Sequence, residues 1–143
     1  MKNMESDIII DAPAQKVWNI LMDFESHPEW NPFIRSISGE PKEGENITVR
    51  LKPPDGKEMT FRPVILKNER EKEFRWKGKL FIKGLFDGEH YFKLEKIDNS
   101  TTKFIHGENF SGILVGLLSG ALKNTLAGFQ DMNEALKARC EAA

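Results

Sequence analysis

The stretch from Ile113 to about Arg139 constrains the fold more than any other part of this chain. Leu114, Leu118, Ala121, Thr125, Phe129, Met132 and Leu136 recur at spacings of three and four, and Lys123, Asn124, Gln130, Asp131, Glu134 and Lys137 fill the other side. That is the pattern of one amphipathic helix. At about 1.5 Å per residue it would run roughly 40 Å, the span of a whole small domain. A single apolar stripe of that length must lie across an extended apolar surface.

The preceding residues supply such a surface. Ile8-Ile9-Ile10 reads as an opening strand. Asp11-Ala12-Pro13 then predicts a helix start, with Asp11 or Ala12 at the cap and Pro13 at an early helical position. Val17, Trp18, Leu21 and Met22 share one face of that helix, which His27-Pro28 is expected to break. Glu29 to Phe33 has room only for a single turn or tight loop. From about residue 34 to 112 strand-like runs follow one another with no helix between them, which predicts antiparallel meander connections. Pro53-Pro54-Asp55-Gly56 marks a turn, and Pro63 an edge position or bulge.

With 143 residues, 39% hydrophobic, the chain fits one domain, residues 1–143, around one core. Charges of both signs nearly cancel, to a formal net charge of -1, and are interspersed. No positive field invites nucleic acid. The lone Cys140 excludes an internal disulfide and a cysteine zinc cluster. Acidic residues interrupt the first ten positions, and no run approaches the roughly 18 apolar residues of a membrane span. These features predict a cytoplasmic protein, monomeric or weakly dimeric, without stable membrane insertion.

Several segments together resemble the START-like superfamily, in its SRPBCC branch of polyketide cyclase/dehydrase and lipid-transport proteins. They are Ile10-Asp11-Ala12-Pro13 with Val17-Trp18, Pro28 to Phe33, Gly84-Leu85-Phe86-Asp87-Gly88, the strand Phe104-x-His106-x-Glu108-x-Phe110-Ser111-Gly112, and the ending Met132-Asn133-x-x-Leu136-Lys137. The resemblance spans nearly the whole chain. It implies an α+β helix-grip fold, a curved antiparallel sheet wrapped around a long C-terminal helix, with two short helices after the first strand. It also implies a deep cavity between sheet and helix, its mouth ringed by loops.

Strand phase places polar residues inside that grip. In the run 89–95 the odd positions are Glu, Tyr, Lys and Glu, so His90 shares the inward face with Phe92 and Leu94. In the next run Lys103, Asn109 and Gly107 face out, so His106 and Glu108 join Phe104 and Phe110 inside; Ile105 departs from the pattern. A loop at 98–100 pairs Ile97 with Thr101 and sets His90 opposite Glu108. A loop at 99–101 instead pairs His90 with Phe110 and leaves Glu108 diagonal.

Four readings fit this cluster. It can be a satisfied buried polar pair, a set of ligand contacts, a general acid–base dyad, or a metal site, for which nothing in the sequence makes three ligands converge. The expected occupant is a small hydrophobic molecule, held without metal or cofactor. Trp76, Phe92, Phe104, Phe110, Leu114, Leu118 and Phe129 would be its apolar wall, and His90, His106 and Glu108 its polar contacts. Trp30 and Phe33 are expected to plug the core under the short-helix turn. Leu80, Phe81, Leu85, Phe86 and Gly112 would frame the entrance. The apolar stretch 80–86, with Lys77, Lys79 and Lys83 nearby, can also serve as a lid that touches a membrane or partner transiently. Gly112 and Gly116 read as room left for a ligand, Gly128 as a loosened turn. Two other functions compete with carriage: a cyclase or dehydratase using His90, His106 and Glu108, and an interaction module with a filled core. Turnover would vanish in Glu108→Gln, whereas a carrier would lose only some affinity.

Overall fold

The computed structural model describes residues 2–79, 87–112 and 119–142, apart from the side chains of 79 and 119–122. Among the described residues eight strands and three α-helices follow in the order β1 (Lys2–Ile10), α1 (Ala14–Met22), α2 (His27–Trp30), β2 (Ile34–Ser38), β3 (Thr48–Leu51), β4 (Met59–Phe61), β5 (Val64–Glu69), β6 (Glu73–Lys79), β7 (Asp87–Asp98), β8 (Thr101–Ser111) and α3 (Ser119–Glu141). Five of the strands form a curved antiparallel sheet ordered β1-β8-β7-β6-β5, and β2, β3 and β4 form a second. The meander expectation therefore holds within each sheet, from β2 to β4 and from β5 to β8. The first strand closes the sheet beside the last, and β2–β4 leave it.

The chain turns from one sheet to the other at Pro63. The stretch 44–47 pairs with 63–65 through Ile47 N–H to the Pro63 carbonyl (3.0 Å) and Ile65 N–H to the Glu45 carbonyl (2.9 Å). Pro63 has no N–H to give, so it suits this corner before an edge strand. The expected bulge lies just after it, between Ile65 and Lys67, and leaves Leu66 exposed.

Two details of the helices differ from expectation. Pro13 is itself the N-cap of α1, in extended conformation with no side-chain cap; its carbonyl takes the N–H groups of Lys16 and Val17. Asp11 is not the cap: it lies two residues before it, and its N–H donates to the Glu141 carboxylate of α3 (2.8 Å). His27-Pro28 does not end α1, which stops at Asp23. It starts α2, where a proline in the first turn forfeits no hydrogen bond.

Helix α3 lies against β1, β8 and α1. Phe129, Met132 and Leu136 of its stripe are fully buried, together with Val17 and Leu21 of α1 and Ile10, Phe92 and Phe104 of the sheet. Thr125 is half-buried, and 113–118, which the spacing assigns to the same helix, lie outside the described residues. On the outer face of the sheet Tyr91 lies over Gly107, where a side chain would collide with its ring. The Tyr91 hydroxyl donates to Glu5, and Arg75 stands over the ring at 4.6 Å.

Candidate functional site

The inward residues of four strands meet in a few layers of the sheet. On β7 His90 stands opposite Glu108 of β8 and opposite Trp76 of β6. On β8 His106 stands between Phe92 and Ser6, the latter from β1. The strand phase is as the alternation requires, and the loop is not. Asp98 pairs with Thr101, and Ile97 is bulged out between Lys96 and Asp98. A two-residue turn with one extra residue keeps the same register as a three-residue loop. The bulged Ile97 is 54% exposed.

These side chains form a continuous hydrogen-bonded line. Glu108 Oε1 meets His90 Nδ1 at 2.9 Å, and His90 Nε2 meets His106 Nε2 at 2.7 Å. His106 Nδ1 meets Asn133 Oδ1 of α3 at 3.0 Å, and Asn133 Nδ2 donates to Ser6 Oγ at 2.8 Å. Both imidazoles are sealed in aromatic slots. Trp76 stacks on His90 at 4.9 Å and Phe129 on His106 at 4.1 Å, each tilted by 14°.

Burial sets the charge of the line, because removal from water disfavours every ionised form. It pushes His90 down to about 3 and Glu108 up to about 8. His106 is held well below the usual histidine range by burial and then by its neighbour His90. At neutral pH the line is a carboxylic acid and two neutral imidazoles, with one proton between Glu108 and His90.

The far side of Glu108 opens on a cavity. Its volume is about 60 Å³, several times the roughly 10–15 Å³ that one water needs. The walls are apolar: Phe33, Leu51, Met59, Phe61, Trp76 and Phe110 are among them. Gly78 and Gly88 face each other across β6 and β7 and line it too. Two facing glycines on an inward layer leave out two side chains, and that omission makes room. Glu108 Oε2 lies over Gly88, where any Cβ would strike it.

Of the residues expected to touch a ligand, Trp76, His90, Glu108 and Phe110 line this cavity. Phe92, Phe104, His106 and Phe129 are buried behind it, outside its described walls. Leu114 and Leu118, and Leu80, Phe81, Leu85 and Phe86 of the expected entrance, lie outside the described residues. Gly112 is exposed, with φ of 113° at the end of β8. Trp30 is the last residue of α2 itself, half-buried, with its ring against His27 at 4.9 Å. Phe33 does more than plug the short-helix turn: it reaches His90, His106 and Phe129. Gly128 permits this, since a side chain there would come within 2.5 Å of the Phe33 ring.

Sequence reasoning missed two members of the line. Asn133 lies four residues after Phe129, so helical spacing alone puts it on the buried face. Ser6 is in phase with Ile8 and Ile10. Among the described residues no group of three or more His, Cys, Asp or Glu is placed to hold a metal ion. No helix among them is long and apolar enough to cross a membrane.

A family model described as polyketide cyclase/dehydrase and lipid transport matches residues 1–141. Among curated proteins none matches. Solved structures do. A START superfamily protein from Mycobacterium smegmatis is 17% identical with a TM-score of 0.75, over 97% of each chain. The Zhui aromatase/cyclase from Streptomyces sp. R1128 is 15% identical with a TM-score of 0.71, over 99% of this chain and 96% of that one. The di-domain ARO/CYC BexL from the BE-7585A biosynthetic pathway is 15% identical with a TM-score of 0.74, and this chain spans 50% of it. At such identities the likeness is one of fold, the helix-grip of the START-like proteins.

Proposed function

The chain belongs to the polyketide cyclase/dehydrase and lipid-transport family, and we propose that it binds a small, largely apolar molecule against Glu108, between the sheet and the β3–β4 hairpin. One observation carries this reading. Glu108, 15% exposed, uses Oε1 on His90, while Oε2 has no partner among the described residues and borders an apolar cavity. A carboxyl group kept only to satisfy a buried histidine would have both oxygens engaged. A cavity of about 60 Å³ is small beside the roughly 300 Å³ or more of drug-sized pockets. Its occupant is a single small ring or one end of a larger molecule.

A second reading has its own support. The proton shared by Glu108 and His90, with the carboxyl at about 8, suits general acid–base transfer near neutral pH. The fold neighbours named as aromatase/cyclases are compatible with it. Native mass spectrometry of protein purified from its own host separates the possibilities. Binding predicts a co-purified small molecule, released unchanged on denaturation. An enzyme predicts that added ligand leaves with altered mass and that Glu108→Gln stops the change. If nothing co-purifies and no apolar probe binds, the interaction module with a filled core replaces both.

A further inference from the structure

We infer that the cavity takes a neutral ligand that donates a hydrogen bond, such as a phenol or an alcohol, and turns away carboxylates. This rests on the binding reading above and names the chemistry of its occupant. The reason lies at the far end of the polar line. Asn133 Nδ2 donates to Ser6 Oγ, which leaves Oδ1, an acceptor only, against His106 Nδ1. His106 must therefore carry its proton on Nδ1, and a neutral imidazole has no second one. Its Nε2 accepts, so His90 Nε2 donates. A single proton remains for the contact between His90 Nδ1 and Glu108 Oε1.

Whichever of those two atoms holds that proton, Glu108 Oε2 has none. It offers the cavity lone pairs alone, as a carboxylic C=O or as a carboxylate oxygen. The described wall residues include no Lys or Arg, so an anion placed there meets an acceptor and no counter-charge. A hydroxyl meets a partner, and a purely apolar group leaves Oε2 unsatisfied.

Phenol, toluene and benzoate, alike in ring and differing in this one property, test the inference at neutral pH by titration calorimetry or ligand-observed NMR. Phenol is expected to bind about tenfold more tightly than toluene, the worth of one net hydrogen bond, and benzoate more weakly than either. Glu108→Gln can turn its NH2 to His90 and its C=O to the cavity, so it retains the order; Glu108→Leu levels phenol with toluene. Imidazole 15N–1H correlations read the other end independently, with His106 protonated on Nδ1 only. Equal binding of phenol and toluene, benzoate as tight as phenol, or a proton on His106 Nε2 would each overturn the inference while the binding reading stands. Failure of all three probes to bind overturns both.

Discussion

The two ends of the β7–β8 hairpin are built from the same alternation and do opposite things. Toward the turn, Leu94 faces Phe104 and Phe92 faces His106; these side chains are 5% exposed or less, and the ring of Phe92 stacks on Phe74 and Phe104. Toward the other end His90 faces Glu108 and Gly88 faces Phe110, and the layer is left part-empty. The difference is not one of fold or register. It comes from Gly88, from Gly78 beside it on β6 and from one carboxyl group, so one continuous sheet is packed core at one end and the wall of a cavity at the other.

That contrast can be broken from either side. Phe104→Ala strikes the closed end and should be the most damaging change, destabilising the fold by about 3–5 kcal/mol, because a buried ring is lost and a cavity left. Urea denaturation reads it; a loss under about 1 kcal/mol would show that the closed end is not close-packed. Gly88→Ala strikes the open end. Its Cβ displaces Glu108 Oε2, so the expected loss is about 1–3 kcal/mol from overpacking. In the same protein the His90 ring signals should shift as its Glu108 partner moves. Unchanged His90 signals would contradict the geometry.

The smallest expected effect is on pH. Glu108 is raised in the folded state and so contributes stability that is present below its unfolded value of 4.5 and lost as pH rises toward about 8. His90, His106 and His27 are lowered, and their contribution is present above 6.5 and lost on acidification. Between these limits the histidines outnumber the carboxyl, so stability climbs with pH to about 6.5. Above that only Glu108 acts, and stability declines by about 1 kcal/mol per pH unit until about pH 8. Chemical denaturation from pH 5 to 9 should show the maximum near neutrality, and Glu108→Gln should remove the alkaline decline. A decline that persists in Glu108→Gln would assign it to another group.

Much of this was readable from residue order, and the rest was not, for definite reasons. Strand phase is local: once His90, Phe92 and Leu94 share a face, parity alone brings His90 to Glu108 or a diagonal neighbour, and the bulge at Ile97 leaves that parity intact. The helix-grip arrangement follows from the stripe ending in Phe129, Met132 and Leu136, which needs a concave partner. Which strands leave the main sheet is a different matter. The separation of β2, β3 and β4 depends on pairing between 44–47 and 63–65, and no periodicity encodes the corner at Pro63. The strand character of Lys2 to Asp7 was hidden by its charged, outward positions, and Ser6 with it. In the sequence Phe33 reads as a local plug, because its reach to His90 depends on how closely a helix passes overhead.

That close passage shapes the cavity beside Glu108 from outside it. Gly128 lines no part of the cavity beside Glu108, yet its bare backbone is what the Phe33 ring rests on. Any side chain added on the helix there would displace Phe33, one of the cavity walls. The width of the cavity can therefore be altered through a residue outside it, and the hydrogen-bonded line left in place.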